Sequence, residues 1–269
     1  MLDIALPNLI TAFGIALAAG LFTVLGSGLV MLSKTPNPRV LSFGLAFAGG
    51  AMVYVSLTEI FNKSSEAFAQ VYDKDKAFAA ATLAFLAGMA SIALIDRLVP
   101  NPHETLDPHD PAFQENKRRH IARVGMMAAS AITAHNFPEG LATFFATLEN
   151  PAVGMPLALA IAIHNIPEGI SIAAPVYFAT RNRKKTVLAC LASGLAEPLG
   201  AVLGYTMLKP FLSPFVFGAV FGVIAGVMVF LALDELLPAA KRYSDGHETV
   251  YGLTSGMAVI ALSLVLFHF

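Results

Sequence analysis

The chain has 269 residues, of which 56% are hydrophobic and only 13% charged, with a net charge of −1. Soluble globular chains carry roughly 25% charge, so a core of this size could not hide the apolar surface, and lipid is the expected solvent. The near-neutral charge offers nothing to nucleic acid, the single cysteine, Cys190, excludes a disulfide frame and a thiolate metal cluster, and no Gly-rich phosphate loop ending in Lys-Ser or Lys-Thr marks a built-in ATP motor.

In chain order, runs of about 20 mostly apolar residues, the length that crosses a bilayer, fall at Leu6–Met31, Val40–Phe61, Phe78–Ile95, Val124–Leu148, Ala152–Phe178, Val187–Leu208, Phe215–Leu237 and Val250–Phe267. The first run has no basic residue before it and is too long for a signal-peptide core, so no cleavage is expected. Prolines punctuate the breaks: Pro36 and Pro38, Pro100 to Pro111, Pro151, Pro210 and Pro214. The expected fold class is therefore an all-α integral membrane protein of eight transmembrane helices, a single domain over residues 1–269. Basic residues favour cytoplasmic loops. With the N-terminus outside, the inner loops hold Lys34, Arg39, Arg97, Lys117, Arg118, Arg119, Arg123, Arg181, Arg183, Lys184, Lys185, Lys241 and Arg242, against Lys63, Lys74, Lys76 and Lys209 outside. Both termini are thus expected outside.

The second span reads Gly50-Ala-Met-Val-Tyr-Val-Ser-Leu-Thr-Glu59, and the seventh reads Gly226-Val-Met-Val-Phe-Leu-Ala-Leu-Asp-Glu235, a match at an offset of 176. The first and sixth spans agree more weakly, through Gly20-Leu21 with Gly194-Leu195 and Gly26 with Gly200. Spans two and seven run in opposite directions, so the expected plan is an inverted repeat, helices 1–3 and 6–8 around a helix 4–5 core, with a site at the midplane. Glu59 closes span two at the outer side, and Asp234 and Glu235 close span seven at the inner side. They are candidate pathway or vestibule residues that would raise the local cation concentration. The segment from about Arg97 to His120 is the one long polar stretch, broken by prolines. His103 and His109 there are candidates for weak metal collection in the cytosol, beside the plainer reading of a solvated linker.

The fourth span reads His135-Asn136-Phe-Pro138-Glu139-Gly140, and the fifth His164-Asn165-Ile-Pro167-Glu168-Gly169. At about 1.5 Å per residue from the span ends, both histidines reach mid-bilayer. His and Glu four apart share a helix face, and Asn and Glu three apart are neighbours, so each helix offers an imidazole, an amide oxygen and a carboxylate to one point. The prolines cannot donate to the carbonyls one turn back, so each is expected to kink its helix and free a carbonyl oxygen. The sixth span adds Glu197, followed by Pro198. A charged side chain at helix centre costs about 2.5–3.5 kcal/mol on the insertion scale, and no lysine or arginine lies at that depth. A cation must compensate, or the groups stay protonated. Two dications nearly balance three carboxylates, with Glu139 and Glu168 as natural bridges. Imidazole, amide and carboxylate without thiolate suit zinc, iron, cobalt or manganese.

On these residues the chain resembles the ZIP (Zrt/Irt-like) metal transporter family, and within it the bacterial ZupT-like subgroup. The resemblance takes in nearly the whole chain, and the pair of His-Asn-x-Pro-Glu-Gly motifs is its most specific part. It implies uptake of divalent metal across the bacterial cytoplasmic (inner) membrane into the cytosol. Zinc comes first, with iron, manganese, cobalt and cadmium as further cargo, transported rather than held as a cofactor. It implies a binuclear centre: one metal on His135, Glu139, His164 and Glu168, the other on Asn136, Asn165 and Glu197 with Glu139 and Glu168 shared. Asn165 stands where many relatives carry Asp, which makes the second position less anionic. The expected partners are the lipid bilayer and the metal ions, with a homodimer as an assembly open to the chain.

The motion expected is a rocking of the two repeats against the helix 4–5 core. A selective channel is the alternative within transport. An intramembrane metallo-hydrolase would need an open metal position and a base, and the His-Glu-x-x-His pattern is absent. A metal sensor would bind without flux.

Overall fold

The computed structural model describes residues 6–32, 38–98, 133, 136–244 and 246–268, and every regular element among them is helical. Helix α1 is Leu6–Leu32. Helix α2, Pro38–Val55, runs through a π turn, Ser56–Ile60, into α3, Phe61–Ala69, and α4 is Lys74–Leu98. Residues 136–149 form α5. Pro151–Thr180 is α6, Arg183–Gly194 is α7, Ala196–Leu208 is α8 and Pro214–Leu231 is α9. A second π turn, Ala232–Leu236, leads into α10, Leu237–Arg242, and α11 is Glu248–His268. Among the described residues seven helices are long and apolar enough to cross a membrane. The first part of the fourth expected span, with His135, and the loop carrying His103 and His109 lie outside the described residues.

Polarity is arranged inside out. Large apolar side chains such as Leu25, Leu86, Met155, Leu203 and Leu262 are exposed, while Glu139, His164, Glu168 and Glu197 are buried. Water would not tolerate that pattern, but a bilayer does, because there the outer surface meets hydrocarbon and polar groups turn toward the protein interior. The chain is a multi-pass membrane protein.

The described helices differ from the expected spans in three informative ways. The second and seventh spans continue past their expected ends, to Ala69 and Arg242, through the two π turns. In each turn the bond runs five residues back, from Phe61 N–H to the Ser56 carbonyl and from Leu237 N–H to the Ala232 carbonyl. Pro238 cannot donate to the carbonyl of Asp234, which accounts for slack in the second turn. Asn62 holds the corresponding place in the first, so proline is not the common cause. The third difference is a break in the sixth span between Gly194 and Ala196. Pro198 cannot serve the carbonyl of Gly194, and Leu195 closes α7 by donating to the carbonyls of Leu191 and Ser193.

Hydrocarbon gives helices no hydrophobic reason to associate, so close approach over small residues holds them. A Cβ at Gly20 would overlap the Gly194 carbonyl, and one at Gly194 would overlap the Gly20 carbonyl, where α1 crosses α7. Gly26 lies against the Ile166 carbonyl and Gly169 against the Thr23 carbonyl, joining α1 to α6. Gly140 lies against the Glu197 carbonyl and Gly200 against the Phe137 carbonyl, joining α5 to α8. A second set joins α2 to α11, Gly50 against Leu253 and Gly256 against Phe47, and α4 to α9, Gly88 against Val223 and Gly226 against Phe85. Between the sets Gly44 of α2 meets Pro167 of α6 at an ordinary 3.8 Å from its would-be Cβ, and Phe145 of α5 packs edge-on against Phe217 of α9 with ring centroids 5.5 Å apart. The closest backbone approaches of α5 and α6 are thus to α1 and α8.

Short connections are locally specified. Asp73 Oδ1 accepts from Lys76 N–H at 3.1 Å at the start of α4, and its Oδ2 accepts from Lys76 Nζ at 2.6 Å. The Lys76 contact holds the Asp73 carboxyl below its ordinary value, so whatever this exposed cap contributes is present at neutral pH and lost as pH falls through that lowered value. Between α6 and α7, Arg181 takes the left-handed conformation (φ 51°) and the Asn182 side chain accepts from Lys185 N–H. Asn182→Ala removes that cap and lowers stability by about 1 kcal/mol, measurable as a lower midpoint of thermal unfolding in detergent.

Candidate metal centre

The motif spacing does what helical geometry requires. On α6, His164, Asn165 and Glu168 are all fully buried, as are Asn136 and Glu139 on α5 and Glu197 at the first turn of α8. One ligand atom each from Glu139, His164 and Glu168 lie within 4.8 Å of one another. His164 Nε2 is 3.1 Å from Glu139 Oε1. With its proton on Nε2 the imidazole donates to that carboxylate; a cation between the two would take the proton's place.

The asparagines are held by their amide nitrogens. Asn165 Nδ2 donates to the Ala19 carbonyl of α1 at 2.9 Å and to Glu197 Oε1 at 2.5 Å. Asn136 Nδ2 donates to the Ser193 carbonyl of α7 at 3.1 Å. Each anchor leaves the amide oxygen free, and neither Asn136 Oδ1 nor Asn165 Oδ1 has a hydrogen-bond partner among the described residues. The same holds for Glu139 Oε2, both oxygens of Glu168 and Glu197 Oε2. Buried polar atoms are ordinarily paired, and an unpaired charged group costs several times more than an unpaired neutral one. Among the described residues no lysine or arginine forms an ion pair with these carboxylates. Six unpaired acceptor oxygens on three helices are a surface complementary to a cation, and the donor set, imidazole, amide oxygen and carboxylate, suits a first-row dication.

The structure brings together Glu139, His164 and Glu168, and links Asn165 to Glu197. Glu59 lies half-buried in the first π turn, and Asp234 and Glu235 half-buried in the second, apart from this cluster. Sequence reasoning missed the anchoring groups: the Ala19 carbonyl and Ser193, which aim the two amides. Their signal was the offset of 174 that relates Gly20 to Gly194, since Ala19 and Ser193 precede those glycines. It also passed over the helix break that sets Glu197 at the start of α8.

The comparison with known proteins agrees with this geometry. The family described as ZIP Zinc transporter matches residues 100–264. The chain is 88% identical to the zinc transporter ZupT of Neisseria meningitidis serogroup B, over the full length of both. It is 68% identical to the zinc transporter ZupT of Xanthomonas axonopodis pv. citri, over 100% of this chain and 99% of that one. It is 47% identical to the zinc transporter ZupT of Chlorobium chlorochromatii, over 97% of this chain and 98% of that one. With matches of this extent and a buried cluster of unpaired metal-ligating side chains, the chain belongs to the ZIP zinc transporter family, in its ZupT subgroup.

Proposed function

We propose that the protein carries zinc, and with it iron, manganese, cobalt and cadmium, across the bacterial inner membrane into the cytosol. The observation that carries this reading is the set of unpaired oxygens on Glu139, Glu168, Glu197, Asn136 and Asn165, buried with no counter-charge among the described residues. His135, Glu139, His164 and Glu168 hold one ion. Asn136, Asn165 and Glu197 hold a second, sharing Glu139 and Glu168. The empty carboxylates take protons, which couples metal release to proton binding.

Both termini face outside, which puts the basic turn at Arg181 to Lys185 in the cytosol. The chain is one transmembrane domain of eight spans in two inverted halves. The glycine contacts support this, since those of Gly50 and Gly226, and those of Gly140 and Gly169, repeat at matched positions. The two π turns fall 176 residues apart at the ends of the matched spans, where Glu59, Asp234 and Glu235 line the outer and inner vestibules. The tight contacts among α1, α5, α6, α7 and α8 make them the unit that moves, metal included, against α2, α4, α9 and α11. A homodimer would use the face of α4, only 11% of whose spanning window is covered within the chain.

The test is zinc entry into sealed proteoliposomes holding a zinc-sensitive dye. Saturating entry is expected for a carrier, and non-saturating entry would mean a channel. Binding with no entry at all would sink the transport reading. Competition with manganese, iron, cobalt and cadmium measures the range of cargo.

A further inference from the structure

Helices α1 and α7–α8 meet the two motif helices through contacts that correspond pair by pair at an offset of 174. The Ala19 carbonyl accepts from Asn165, and the Ser193 carbonyl accepts from Asn136. Gly20 and Gly194 face each other. The Thr23 carbonyl lies against Gly169, and the Glu197 carbonyl against Gly140. Glu197 Cβ is 3.4 Å from a would-be Cβ at Gly20, and Thr23 Cβ is 3.4 Å from one at Gly194. Thr23 thus holds on α1 the place that Glu197 holds on α8.

Its hydroxyl is one of three, with those of Ser56 and Thr143, that are buried without a hydrogen-bond partner among the described residues, and of the three it alone holds the place of a cluster carboxylate. Thr58, Thr147, Thr180 and Thr254 all return their hydroxyl protons to the carbonyl four residues back. Thr23 Oγ1 is fully buried and has no hydrogen-bond partner among the described residues. The corresponding Glu197 Oε1 accepts from Asn165. By the same correspondence the counterpart of Asn165 is Asn136, whose amide nitrogen is held by Ser193 and whose amide oxygen is also unpaired. The offset of 174 thus matches two neutral oxygens, of Thr23 and Asn136, to the carboxylate of Glu197 and the amide of Asn165.

We propose that Thr23 Oγ1 is a further oxygen ligand for the transported dication, acting with Asn136 Oδ1 as the neutral counterpart of Glu197 with Asn165. A neutral hydroxyl there keeps the cluster at three carboxylates. It offers a hard oxygen, which favours manganese and iron over the softer cadmium, and it holds the ion loosely enough to let it leave toward that side. This rests on the metal-transport reading above.

The test compares wild type, Thr23→Val and Thr23→Ser as full-length protein in detergent, by thermal unfolding with and without Mn²⁺, Zn²⁺ or Cd²⁺, and by uptake in proteoliposomes. Valine keeps the volume and removes the orphaned hydroxyl. As a ligand position, Thr23→Val raises the metal-free midpoint, shrinks the Mn²⁺-induced rise and weakens Mn²⁺ binding by about tenfold, with Cd²⁺ least affected. Thr23→Ser recovers most of the lost Mn²⁺ binding. A lower metal-free midpoint in Thr23→Val would mean a structural role, and unchanged Mn²⁺ binding would mean no role in ligation. Either result overturns the proposal, as does Thr23→Ser binding no better than Thr23→Val. Wild type showing neither a metal-induced rise nor uptake would instead overturn the transport reading.

Discussion

Glu168→Ala is expected to abolish zinc uptake while making the metal-free protein more stable. Both oxygens of this fully buried carboxylate lack a partner among the described residues, so its removal relieves a cost that a bound cation or a proton otherwise offsets. Replacing buried charges by apolar groups of suitable size can stabilise by about 1–4 kcal/mol, although the smaller alanine gives part of this back as a cavity. Loss of a group that merely orients a metal ligand already costs about 10–100-fold in affinity, so loss of a shared carboxylate should cost at least about 100-fold. Glu168→Gln keeps the volume and removes the charge, and it separates the two effects. At a zinc concentration about a hundred times the dissociation constant, bound metal stabilises the wild type by about 2.7 kcal/mol; this rise should vanish in both variants. Glu139→Ala should behave alike in uptake and additionally strand His164 Nε2, whose contact is Glu139 Oε1. Calorimetry in detergent and dye-loaded proteoliposomes supply the two readings. Normal zinc flux in either variant, or a metal-free protein that no longer folds, would remove the central claim.

The second large effect belongs to two residues with no chemistry. Gly169→Ala and Gly140→Ala each place a methyl group onto a carbonyl of the neighbouring helix, that of Thr23 and of Glu197 respectively. Backbone cannot swing aside as a side chain can, so the helices must separate. Overpacking of this kind costs about 1–3 kcal/mol and sometimes more. The separation also pulls the Ala19 carbonyl from Asn165, or Glu197 from the cluster, so zinc affinity should fall together with stability. Gly14→Ala is the internal control. Nothing lies within 4 Å of its would-be Cβ, and alanine is favoured over glycine in a helix by about 1 kcal/mol, so the unfolding midpoint should hold or rise. Equal effects at Gly14 and Gly169 would show that close backbone approach does not hold α1 against α6.

These two predictions draw on different levels of information. The Glu168 result was legible in the sequence, because lipid leaves a buried carboxylate few partners and because two copies of His-Asn-x-Pro-Glu-Gly at helical spacing aim the same atoms at one point. The all-helical membrane class followed from the same constraint: hydrocarbon offers backbone no hydrogen bonds, so long apolar runs must satisfy their own. The glycine result was not legible. Gly14 and Gly20 look alike along the chain, and only the crossing of α1 with α7 shows that one faces open space and the other a carbonyl. Nor could the string of residues show which helices are held together. The offset of 176 suggested halves around a helix 4–5 core, but not that α6 makes its closest backbone approach to α1 and α5 to α8. What the sequence determined by itself was set by solvent and helical period, both local. What tertiary structure decided, namely the anchors at Ala19 and Ser193, the break before Glu197, the π turns and the place of Thr23, depends on contacts between residues far apart in the chain. Those distances arise only when helix surfaces meet.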